Sequence, residues 1–87
     1  MNRIQKMHER LAALQPTQID IKDDSHLHVG HVGARDGGGH YQLHIVSAQF
    51  AGKPTLTRHR MIYSALGDMM KQDIHALNIS AFTPEET

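Results

Sequence analysis

The chain has 87 residues and no cysteine, so neither a disulfide nor a thiolate-bound metal can hold it together, and its stability must come from one small hydrophobic core. A chain of this length buries only about 60 to 65% of its unfolded surface, which leaves modest stability without a partner or ligand. One domain spanning residues 1–87 is expected. The N-terminal stretch MNRIQKMHERLAALQ is too charged for a signal peptide, and no apolar run approaches the ~20 residues of a membrane span. The expectation is a cytoplasmic protein with no membrane association. Nine basic residues balance nine acidic ones, so there is no global field to draw phosphate backbones at neutral pH.

Hydrophobic periodicity orders the elements. Ile4, Met7, Leu11 and Leu14 recur at helical spacing over residues 3–14, and Pro16 stops that helix. Ile19 and Ile21 alternate with polar neighbours as a short strand that ends at Asp23, Asp24 and Ser25. Tyr41, Leu43 and Ile45 alternate in the same way after a glycine-rich run, giving a second strand that pairs with the first as an antiparallel hairpin. Residues 51–54 read as a turn. Thr55 or Thr57 is positioned to cap a helix with apolar positions Met61, Ile62, Ala65, Leu66 and Met69. Leu77, Ile79 and Ala81 form a third strand, and Thr83-Pro84-Glu85-Glu86 has the composition of a capping box opening another helix.

The order α-β-β-α-β ends in a β-α-β crossover, which makes the second and third strands parallel. Parallel strands begin at the same end of a sheet. His75, entering the third strand, is therefore expected beside His40 and the loop that carries His26, His28 and His31 in DDSHLHVGH. Eight histidines are present, and imidazole is the commonest metal ligand. Without thiolates of its own, such a cluster points to a site completed by another molecule. A simple zinc site from His26, His28 and His75 is a lesser alternative. Ser25, His26 and Asp24 are adjacent in sequence and do not form a nucleophilic triad, and no G-x-S-x-G, P-loop or dinucleotide fingerprint exists. Catalysis is not expected.

SHLH at 25–28, SAQFAGKP at 47–54, RHR at 58–60 followed by MIY, and IHAL at 74–77 together resemble the BolA family, over nearly the whole length from Leu14 to Glu86. The resemblance implies an α+β fold of the class II KH-like (BolA-like) type, a three-stranded mixed sheet with helices packed on one face. It also implies a partner, a monothiol glutaredoxin, and a [2Fe-2S] cluster shared with that glutaredoxin and its glutathione, with no cofactor in the isolated chain. The family's ligand positions correspond to His75 of the HAL motif and to a loop residue, here His28, with His26 as the alternative. Family members are also described as transcriptional regulators of stress response and cell morphology, so DNA is the rival partner. For that role, or for contact with an acidic partner, Lys53, Arg58, His59 and Arg60 are the candidates, with Lys71 as a further phosphate contact. Arg58 and His59 have an equally good structural account as packing and hydrogen-bonding residues. The segment corresponding to the KH phosphate clamp, Phe50 to Pro54, holds only one glycine.

Overall fold

Helix α1 (Arg3–Leu11) starts at Asn2, whose side-chain oxygen accepts from the Gln5 N–H at 2.9 Å while the Gln5 side chain accepts from the Asn2 N–H at 3.1 Å. This reciprocal cap satisfies donors that a helix start otherwise leaves open. In the computed structural model, which describes residues 2–25 and 39–87, Met7 and Leu11 are fully buried on the inner face of this helix. The expected helix over 3–14 changes character at Leu11. Residues Ala12–Leu14 tighten into a 3-10 turn, and Gln15 takes a left-handed conformation (φ 52°) before Pro16. Leu14 stays buried, and its carbonyl accepts from the Ser47 hydroxyl at 2.6 Å.

Strands β1 (Gln18–Asp23), β2 (Gly39–Val46) and β3 (Ile74–Phe82) form one sheet in the order β1-β2-β3. The β1–β2 pair is antiparallel and the β2–β3 pair parallel. Each strand is longer than its apolar alternation indicated, because pairing to a neighbour extends extended backbone past the last periodic side chain. Tyr41, Leu43 and Ile45 point to one face, where they join Met7, Leu11, Phe50, Ile62, Leu66, Met69 and Ile74 in a single core. The other face carries Asp20, Lys22, Gln42, His44, Asn78 and Ser80 around a shallow polar depression. The helices therefore back one face only, as an α+β sheet with a polar outer face permits.

After a 3-10 turn at Ala48–Phe50, helix α2 runs Thr55–Leu66. Its N-cap is Pro54, so the cap expected at Thr55 or Thr57 is displaced to a residue with no side-chain acceptor. The backbone there is fixed instead by Arg58, whose Nε donates to the Lys53 carbonyl at 2.8 Å and whose own N–H donates to the Pro54 carbonyl at 3.1 Å. The apolar period suggested that α2 continues through Met69. The helix stops at Gly67, which has φ 58°, and a short helix α3 (Met69–Gln72) begins after it. A side chain at Gly67 is disfavoured by that φ, and its Cβ would lie 3.1 Å from the Arg10 guanidinium. Arg10 closes this corner from α1, donating to the Leu66 carbonyl and to Asp68 Oδ1, both at 2.8 Å. A cation at a helix C-terminus is favourable, and the Arg10 hydrogen bond holds the Asp68 carboxyl below its ordinary range.

The C-terminal capping box closes a single 3-10 turn, Pro84–Glu86, in place of the helix it suggested. Glu86 accepts from the Thr83 N–H at 2.8 Å and takes both arms of Arg58, at 2.6 and 3.0 Å. Arg58 also donates to the Ala81 carbonyl at 3.1 Å, so one guanidinium ties α2, β3 and the final turn together. Chiefly through the Arg58 hydrogen bond, and then that of the Thr83 N–H, the Glu86 carboxyl is held down to about 2 from 4.5. A carboxyl lowered in the folded state contributes stability that is present above its unfolded value and is lost as pH falls through the folded one. The thermal midpoint is therefore expected to decline between about pH 5 and pH 2. Melting curves of Glu86→Gln across that window should fall less steeply than those of the parent, and parallel slopes would rule out this contribution.

Candidate functional site: a histidine rim at the open end of the parallel strands

His40 is the second residue of β2 and His75 the second of β3. Both strands start at the same end of the sheet, so the two imidazoles lie side by side with ring centroids 5.1 Å apart, tilted by 45°. The pairing is irregular at this point. Gly39 faces Ile74, but His40 faces Ala76, which leaves His75 as the additional residue on the β3 side. A bulge of this kind re-aims a side chain and interrupts the ladder locally. His75 is exposed, and His40 is half-buried behind it.

Several hydrogen bonds fix the rim on which this pair sits. The Gly39 N–H donates to the Asp73 carbonyl at 3.0 Å, which joins the first residue of β2 to the residue preceding β3. The Asp24 N–H donates to the His40 carbonyl at 2.8 Å, the His40 N–H to Ser25 Oγ at 3.0 Å, and the Ser25 N–H to Asp23 Oδ1 at 2.8 Å. Ser25 and Gly39, which bound the segment 26–38, are thus both held at the same edge as His75. The Asp24 carboxylate is buried, receives the Gln42 amide in a short hydrogen bond, and has Lys22 Nζ at 3.7 Å. A buried carboxylate needs such donors, and here they brace β1 against β2 directly behind His40. On the α1 side, Asp73 lies 3.5 Å from Arg3 and 3.7 Å from Lys6.

The structure thus brings together two of the expected histidines, His40 and His75. His26, His28 and His31 lie outside the described residues. Among the described residues, no group of three or more His, Cys, Asp or Glu side chains is arranged to hold a metal ion. An ion at this rim would need donors beyond His40 and His75.

The cationic candidates lie elsewhere, around the start of α2. Lys53 and Arg60 are exposed, as is Lys71 on α3. His59 is half-buried, with its ring edge-on to Tyr63 at 6.5 Å. Arg58 keeps only 12% of its side chain exposed and is engaged by the Lys53 and Ala81 carbonyls and by Glu86. Contact with phosphate through Arg58 would require displacing Glu86. His44, on the outer face of β2, is half-buried against Phe82 with centroids 5.5 Å apart. The buried Asp24 and the bulge at His75 carry no signal in a single sequence, since both depend on which strand lies alongside.

A three-stranded mixed sheet backed on one face by helices, with paired imidazoles where its parallel strands begin, defines a small α+β domain. The family model described as BolA-like protein matches residues 11–86. The chain belongs to that family. It is 44% identical over 78 residues to SufE-like protein 1 of Arabidopsis thaliana, covering 84% of this chain and 21% of that protein. It is 35% identical to the DNA-binding transcriptional regulator BolA of Escherichia coli, covering 94% of this chain and 76% of the relative. The structure of the BolA domain of SufE1 from Arabidopsis thaliana is similar over 100% of this chain and 98% of that one, with a TM-score of 0.86 and 40% identity. The chain spans about a fifth of SufE-like protein 1 and 56% of the chloroplastic protein BOLA1 of the same plant, to which it is 37% identical. Among the described residues, no helix is long and apolar enough to cross a membrane.

Proposed function

We propose that this chain is a non-catalytic adaptor that binds a monothiol glutaredoxin and contributes two nitrogen ligands to a [2Fe-2S] cluster held between them. The observation that carries this reading is the exposed imidazole of His75, lifted out of the β2–β3 ladder by a bulge and standing 5.1 Å from His40 at the rim. His75 supplies one ligand. A loop histidine, His28 or alternatively His26, supplies the second from a segment whose flanking residues, Ser25 and Gly39, are bonded to that rim.

The donor chemistry fits. A cysteine-free chain offers no thiolate, so the thiolates must come from the partner and its glutathione. Two imidazoles on one iron remove negative charge from the cluster and raise its reduction potential relative to four thiolates. The residues of this chain hold and present the ligand. His40 packs against the His75 ring, while the Gly39–Asp73 and Asp24–His40 bonds keep both strand ends in place. Reconstitution with a glutathione-loaded monothiol glutaredoxin, iron and sulfide should yield a coloured heterodimer whose spectrum differs from that of the glutaredoxin homodimer. A mixture that stays as glutaredoxin homodimer plus colourless free chain would overturn the proposal.

A second reading, a DNA-binding regulator, is favoured by one specific observation. Helix α2 and the turn before it carry Lys53, Arg58, His59 and Arg60 with no acidic residue between Lys53 and Leu66, and a relative 35% identical to this chain is named a DNA-binding transcriptional regulator. Few phosphate contacts give weak and strongly salt-dependent association. Under this reading, duplex binding at about 150 mM salt should weaken several-fold on Lys53→Ala or Arg60→Ala. Absence of binding at that salt would remove the reading.

A further inference from the structure

The sheet has two edges, β1 and β3, and they differ in kind. β1 carries Asp20, Lys22 and Asp23 within six residues, the charge pattern that protects an edge from pairing with other strands. β3 reads IHALNISAF over nine residues, with no acidic residue, lysine, arginine, proline or glycine. Among the described residues, its C-terminal end is covered by Arg58, which donates to the Ala81 carbonyl. The direction of the backbone groups follows from two bonds. Phe82 accepts from the Ser47 N–H and so faces β2, while Ala81 faces outward to Arg58. By alternation, Leu77 and Ile79 turn their N–H and C=O groups away from the sheet, while Asn78 bonds toward β2.

We propose that β3 pairs antiparallel with β3 of a second copy of this chain, about a two-fold axis through Asn78. The sequence is self-complementary about that residue. Leu77 falls opposite Ile79 of the second copy and Ala76 opposite Ser80, so apolar meets apolar and small meets small. The backbone parity agrees with this register. Leu77 and Ile79, which face outward, become the reciprocal hydrogen-bonded pairs, and Asn78 meets its symmetry mate as a non-hydrogen-bonded pair with side chains in close approach. Asn78 lies exposed on the polar face, where two amides can bond to each other across the axis. The result is one continuous sheet of twice the width whose outer edges are the two charged β1 strands, so the assembly closes as an isologous dimer and does not propagate. The His75 rims lie away from the axis at opposite ends, and no metal is involved.

Sedimentation velocity of the metal-free chain, with chelator present, from about 10 µM to about 1 mM tests this. The expected result is a concentration-dependent shift from monomer to dimer, since a short edge pairing gives a weak interface. Asn78→Lys places like charges across the axis, as does Asn78→Asp, and each should raise the dissociation constant at least about tenfold without changing the melting temperature. An equimolar mixture of the two variants should recover the dimer. A monomer throughout the range, a dimer insensitive to either substitution, failure of the mixture to recover, or growth beyond dimer would each overturn the proposal.

Discussion

His75→Ala is expected to abolish the spectral difference between the reconstituted heterocomplex and the glutaredoxin homodimer, while leaving the fold of the chain intact. The imidazole is exposed, so truncation removes little packing. Its loss from a shared cluster removes a ligand outright. His40→Ala should perturb the spectrum less, because His40 is half-buried and touches the ring of His75 from behind. His28→Ala and His26→Ala, measured alongside, separate the two candidates for the second ligand, since only the true ligand should reproduce the His75→Ala spectrum. Visible circular dichroism of the purified complexes provides the readout. A His75→Ala complex with the parent spectrum would exclude His75 as a ligand and with it the proposed adaptor chemistry.

The largest effect on stability is expected from Phe50→Ala. Phe50 is fully buried at the end of a 3-10 turn and belongs to the same core as Met7, Leu11, Leu43, Ile45, Ile62 and Leu66. Removing a buried phenylalanine costs about 3 to 5 kcal/mol in transfer and cavity free energy. A domain of this length has a total stability on the order of 4 to 13 kcal/mol. The urea midpoint should therefore fall by roughly 2 to 4 M, and a large share of the protein is expected to be unfolded near 37 °C. A midpoint within about 0.5 M of the parent would show that the pocket under the 51–54 turn refills, and that Phe50 does not anchor the turn to the core.

Much of the fold was legible because its signals are local. The alternation in Ile19 and Ile21 and in Tyr41, Leu43 and Ile45 set which side chains go inward, and a one-residue slip would have put every one of them on the polar face. Thr83 and Glu86 bond to each other within one turn, so their capping pattern was readable, although the chain beyond them forms only a 3-10 turn. The end of α2 is hidden in the sequence because Met69 fits the helical period three residues after Leu66. Gly67 interrupts that period with a positive φ, and Arg10, 57 residues earlier in sequence (67 − 10), fills the space beside it. Arg58 was identified as notable without its partner, since Glu86 lies 28 residues away.

The candidate site divides in the same way. That His75 and His40 share an edge follows from strand order alone, because a crossover between parallel strands returns the chain to the end from which it started. That they touch at 5.1 Å, with His75 exposed and His40 behind it, depends on the bulge between Gly39 and His40. The bulge is a property of two strands in register and has no counterpart in either strand taken alone.

The sequence by itself determined the secondary-structure order, the faces of the strands and the absence of thiolate chemistry, since periodicity and residue inventory act over a few bonds or not at all through space. Only the tertiary structure decided which imidazole is exposed at the rim, which arginine is held within the chain and which sheet edge lacks protecting charges. Those outcomes rest on contacts between residues far apart in sequence, whose free energies exist only once the strands and helices have packed.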